Sequence, residues 1–313
     1  MTRSGVSRLA DTARRLTRNW RYVGVQLAFR VLSGWVVALP VVSVLGAAIA
    51  GYPEGDAALF EPGGELLVEV WRLRRDELRA AFGVSLRLAA LCALLGLWPL
   101  GMLLESFRRP RARGRRVAGR ALAHWPALAA IGGTALLAQA LVIAGGAAFS
   151  PVARELGADL GELGADLLGV LPLALGGAAA LGLAVAADLG RIAVVRSGSR
   201  GIAAPRRALG AAARSPFGFL GAWALAKLGT IVAMAGAAAL TAVVAVHHPG
   251  DWRVAVAAAA HLGVLVVDVL GRAAWLAWAT LRLEAALTPC RRSPADRAAG
   301  TAGLADPSSR PGA

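Results

Sequence analysis

The chain has 313 residues, 57% hydrophobic and 17% charged, with a formal net charge of +15. A charged fraction well below the roughly 25% usual in soluble domains excludes a soluble globular protein. The basic balance does not point to nucleic acid, because the positive charges alternate between successive connecting segments, which reads as membrane topology.

The apolar residues fall in six blocks, near 31–50, 84–104, 127–149, 168–189, 217–246 and 253–281. Each is near the length of about 20 residues that crosses a hydrocarbon core. The fold class expected is all-α: a polytopic six-helix transmembrane bundle (28–289) with an external amphipathic helix and basic cytoplasmic loops. A basic segment (1–27) precedes the bundle and a disordered cytoplasmic tail (290–313) follows it. The segments 1–27, 105–120, 188–216 and 282–313 hold 6, 7, 6 and 5 basic residues, whereas 51–82, 150–167 and 247–253 hold 4, 1 and 1. This alternation obeys the positive-inside rule and puts both termini in the cytoplasm of a cell with a bacterial-type inner membrane.

Taken in order, residues 1–27 combine six arginines with Leu9, Leu16, Trp20 and Tyr22. They read as a basic helix on the anionic inner leaflet, or as a plain orientation signal. Ala48-Ile49-Ala50 resembles a signal-peptidase site, but the preceding apolar run is longer than a signal h-region, and a retained helix is expected. The external stretch 65–82 places Leu67, Val70, Trp71, Leu78, Ala81 and Phe82 near one face, which predicts an amphipathic helix lying on the membrane or acting as a lid. In the loop that follows, Arg108, Arg109, Arg111, Arg113, Arg115 and Arg116 are suited to anionic lipid headgroups, or simply follow the charge bias.

Spans three to five are rich in small residues, including Gly132, Gly146, Gly176 and Gly229, and should pack closely. Pro40, Pro99 and Pro172 predict kinks. A short surface helix is expected around 204–213, ended before Pro216. Cys92 in span two and Cys290 in the tail form no metal-type or disulfide pattern. His247, His248 and Asp251 on a short turn could ligate a metal, but a polar turn is the reading retained; no metal and no cofactor is expected.

Ionisable residues at membrane depth carry the most information, because they are costly there. Helical periodicity puts His261, Asp268 and Arg272 on one face of span six, and Asp268 and Arg272 at pairing distance. Lys227 lies about 15 Å into span five at 1.5 Å per residue, level with Asp268 on the next, antiparallel helix. The four residues form either a structural ion network or a proton or substrate relay. A second pattern, an acid followed by Arg one turn later, recurs as Glu105/Arg108, Asp188/Arg191 and Asp268/Arg272 in the even spans, hinting at three helix hairpins. Asp188 and Arg191 form the exit pair of span four.

The run Asp188-Leu189-Gly190-Arg191-Ile192-Ala193-Val194-Val195, then Pro205-Arg206-Arg207-Ala208-Leu209 and Arg214-Ser215-Pro216, resembles a broad group of bacterial six-span membrane proteins. These include the membrane domain attached to some glycerophosphodiester phosphodiesterases. The resemblance implies six spans with a basic loop between the fourth and fifth, and the group has no common activity to carry over. No Walker A, GxSxG, HExxH or GxGxxG motif is present. The function expected is that of a non-enzymatic accessory or scaffold for a membrane protein partner; the alternative is a small transporter or permease using the polar stripe of span six.

Overall fold

The computed structural model describes residues 5–50, 65–198, 203–244 and 251–287. Among these residues all regular structure is helical. The helices are α1 (Gly5–Arg18), α2 (Trp20–Ile49), α3 (Glu65–Leu73), α4 (Arg75–Leu95), α5 (Leu97–Arg108), α6 (Gly114–Leu156), α7 (Gly161–Ser197), α8 (Ala203–Ala213), α9 (Pro216–Val243) and α10 (Asp251–Leu287). Six stretches are long and apolar enough to cross a bilayer: α2, α4 with α5, α6, α7, α9 and α10. The protein is an all-α, multi-pass membrane bundle. The turn with His247 and His248, the residues 51–64 and the tail from 290 lie outside the described residues.

Consecutive spans pair as antiparallel hairpins, α2 with α4, α6 with α7, and α9 with α10. Bare apolar surface does not hold helices together in lipid, so backbone approach and polar contacts must do so. The α6–α7 pair shows both. A Cβ added at Gly146 would stand 2.6 Å from the carbonyl oxygen of Pro172, and one at Gly176 would stand 3.0 Å from that of Val142. Across the same seam Ser150 donates to the Gly169 carbonyl at 2.6 Å, and Gln139 donates to that of Ala180 at 2.8 Å.

The second span is broken. Pro99 has no N–H to give to the carbonyl four residues back, and the helix is interrupted at Gly96 between α4 and α5. A lone carbonyl in lipid costs several kcal/mol, so freed backbone needs a donor. The Trp125 indole donates to the Leu94 carbonyl beside the break at 3.0 Å. A side chain at Gly96 would also meet the Phe29 ring at 3.0 Å, so α2 lies close against the interruption.

The core is concentrated at the arginine-rich end of the bundle. Leu103, Leu189, Ile192, Val195, Leu276 and Leu283 are all at most 2% exposed, and α8 seats Ala204 and Ala208 against α7 and α10. Toward the other end most side chains outside the helix pairs are exposed. The bundle is a tight plug at one end and three splayed hairpins at the other.

Three boundaries differ from expectation. The N-terminal basic helix ends at Arg18 and docks on α10, with Arg15 on Glu284 at 3.2 Å and Leu16 against the core. The amphipathic stretch 65–82 is two helices rather than one, parted at Arg74. Its second half is the start of α4, and Val70 and Leu78 pack on Val44, Leu45, Ala48 and Ile49 of α2. That contact covers Val70 and Leu78, while Trp71 and Phe82 of the same face stay 47% and 49% exposed. Finally, much of the loops expected at 105–120, 150–167 and 188–216 is helical, because α6 and α7 run 43 and 37 residues and extend past the apolar blocks.

Candidate functional site

Two carboxylates organise the middle of the bundle. Asp268 of α10 accepts from Lys227 Nζ of α9 at 2.7 Å and from Thr230 Oγ1 at 3.3 Å, both at Oδ1. Its Oδ2 accepts from Arg30 Nη1 of α2 at 3.4 Å. Asp188 of α7 accepts from Arg191 Nη1 at 2.8 Å and Arg272 Nη2 at 3.3 Å at one oxygen, and from the Trp275 indole at 3.3 Å at the other. The two clusters link α2, α7, α9 and α10 at one depth. Burying a charge in lipid is tolerable only with such partners.

Of the residues singled out by sequence, Lys227 and Asp268 are in direct contact, and Asp188 and Arg191 are too. Arg272 is at the same level but turns to Asp188. His261 is not part of the cluster: it is exposed, and its Nδ1 lies 2.8 Å from the Ala257 carbonyl of its own helix. Seven residues separate it from Asp268, about 10 Å along the axis. Helical phase puts His261 on the same stripe as Asp268, but its side chain is exposed. Arg30 joins the cluster from span one, a contact with span six that no sequence spacing announces.

Beside these clusters lies a cavity of about 670 Å³. Every span contributes to its wall, and it extends along α2 from Gln26 to Val37, about 16 Å at the helical rise. Arg30, Arg191, Lys227 and Arg272 all line it, with Asp188 as the carboxylate on the wall and Asp268 behind Lys227 and Arg30. Four cations against two carboxylates leave two positive charges in surplus. The Nε atoms of Arg191 and Arg272 and the Oε1 of Gln26 are buried without hydrogen-bond partners. Gly132 makes room for one of these arginines, since a Cβ there would stand 3.1 Å from Arg191 Nη2. Free guanidinium donors in a cavity of low dielectric attract an anion strongly.

At the arginine-rich end the expected lipid-facing arginines divide. Arg109, Arg111, Arg113, Arg115 and Arg116 are exposed. Arg108 turns inward, 3.7 Å from the fully buried Glu105, and donates to the Val195 carbonyl at 2.9 Å. Arg109 and Arg120 also stand 3.7 and 3.4 Å from Glu105, which ties α5, α6 and α7 together.

The fold and site together define a multi-pass helical membrane protein with a cation-lined central cavity closed by a packed plug at one end. No known protein family matches the chain, and neither a curated protein nor a solved structure matches it.

Proposed function

We propose that this protein is a non-enzymatic, permease-like inner-membrane protein that holds an anion in its central cavity, with the arginine-rich end and both termini in the cytoplasm. The observation that carries the reading is the charge of the cavity wall: Arg30, Arg191, Lys227 and Arg272 against Asp188 and Asp268. A purely structural network needs no surplus, because an uncompensated charge at mid-membrane costs about 2.5–3.5 kcal/mol on insertion scales. A bound anion removes that cost. The broken second span beside the cavity fits the same reading, since interrupted helices in transporters line substrate sites. The plug beneath the polar layer closes the cavity on the arginine-rich side.

Five exposed arginines at the plugged end also support the second reading, an accessory or scaffold bound to anionic headgroups or to a membrane protein partner. The two readings separate by binding. Full-length protein in detergent, titrated with hexyl phosphate, should show a saturable rise in melting temperature that is lost in Arg30→Gln and Lys227→Gln. No saturable response to hexyl phosphate, sulfate or acetate would leave the scaffold alone.

A further inference from the structure

The cavity arranges its chemistry in a fixed order. The charged groups sit at its floor, directly above the packed end. Farther out the wall is Val37, Leu136, Ala184 and Leu265, which offer nothing to a hydrated solute. Gln139, at that height, spends its amide N–H on the Ala180 carbonyl.

The cavity also has a side opening. Helix α2 packs on α4, α5 and α10, and α9 packs chiefly on α10; among the described residues α2 and α9 make no extended contact. The α2–α10 contact is near the floor, around Gln26, Arg30, Val269 and Ala273. Arg30 and Lys227 reach from the two helices that border this gap to one carboxylate on α10 behind it. Their side chains stay 34% and 40% exposed although they stand ten and eleven residues into their helices, which begin at Trp20 and Pro216. Neither is near enough to a helix end to explain that exposure by snorkelling alone.

Cations at the floor, apolar walls and a lateral gap suit an amphiphile with an anionic head. The surplus of two charges selects among heads. A phosphomonoester carries about −1.5 to −2 at pH 7, whereas a phosphodiester or carboxylate carries one charge. Guanidinium donors also match phosphate oxygens in geometry. We propose that the cavity binds a lipid phosphomonoester, which enters sideways between α2 and α9 with its phosphate at Arg30, Lys227 and Arg272 and its chains along the apolar wall. This rests on the anion-binding reading of the cavity.

The test uses the full chain in dodecyl maltoside micelles doped with one lipid at a time: dioleoyl phosphatidic acid, dioleoyl phosphatidylglycerol or dioleoyl phosphatidylcholine. Hexyl phosphate and inorganic phosphate serve as lipid-free probes, and melting temperature against probe concentration gives the affinity. Two variants accompany the wild type. Arg30→Gln removes a charge. Gly34→Phe fills the cavity wall while keeping every charge, and a Cβ at Gly34 meets nothing within 4 Å. The expected result is that phosphatidic acid binds about tenfold or more tighter than phosphatidylglycerol and hexyl phosphate, and that both variants lose that advantage. Equal affinity for the two anionic lipids overturns the phosphomonoester assignment. Undiminished binding in both variants places the lipid on the outer surface and overturns the site. If hexyl phosphate or inorganic phosphate binds as tightly as phosphatidic acid, the lipid inference fails while the anion reading stands. If no anion binds, both fall.

Discussion

Arg272 donates to Asp188 on α7 at 3.3 Å, although Asp268 lies one turn away on its own helix. Asp268 is taken instead by Lys227 and Arg30 from the two helices on its other side. Each carboxylate thus bonds two cations, and no cation bonds both. The result is a cross-braced layer rather than a ladder along α10, and it fixes which substitutions hurt.

Asp188→Asn should be among the most damaging single changes in the polar layer. It strands Arg191 and Arg272 where burial is deepest, with side chains 13% and 26% exposed. Removing one partner of a buried pair costs about 3–5 kcal/mol. Asp268→Asn should cost less, because the Lys227 and Arg30 side chains are 40% and 34% exposed. Melting of both variants in one detergent compares them; equal losses would mean that exposure does not set the cost.

Lys227→Ala should lose about 1–3 kcal/mol, the worth of a charged hydrogen bond, since Arg30 still holds the other oxygen of Asp268. Adding Lys227→Ala to Asp268→Ala should recover part of the loss that Asp268→Ala causes alone, because the double variant orphans one cation rather than two. Strictly additive losses would show that the 2.7 Å contact carries no coupling.

How much of this was readable before the structure depends on the residue. Lys227 and Asp268 stand on sequential antiparallel helices at one depth, so adjacency and rise per residue suffice. Arg272 shares the face of Asp268 by phase, yet phase on one helix does not reveal which neighbour comes closer; the Trp275 side of α10 abuts α7, a contact between spans four and six. Arg30 failed for the same reason, since spans one and six are far apart in sequence. The split of 65–82 at Arg74 escaped the amphipathic pattern because Val70 before the break and Leu78 after it pack on the same stretch of α2.

Gly146→Ala should destabilise by about 1–3 kcal/mol through overpacking against Pro172, while Gly145→Ala should be neutral or mildly stabilising. A Cβ at Gly145 meets nothing within 4 Å. The neighbouring pair controls for composition and helix propensity. A neutral Gly146→Ala would show that α6 and α7 are not held at the distance found here.

Orientation follows from the charge split. A reporter fused at Gly114, beside the exposed arginines, should be active inside the cell, and one fused at Gly161, between α6 and α7, should be active outside. The reverse pattern would invert the bundle and place the plug on the outer side.

The central claim is that the cavity is accessible and electropositive, and Cys92 on its wall reports both properties. In a Cys290→Ser background, Cys92 is titrated with anionic and cationic methanethiosulfonate reagents of similar size, each rate normalised to a free thiol. The anionic reagent should react several-fold faster, a bias of about 1 kcal/mol, and Arg30→Gln and Lys227→Gln should shrink it. Equal rates, a preference for the cationic reagent, or no reaction with either would contradict a cationic cavity open to an anion.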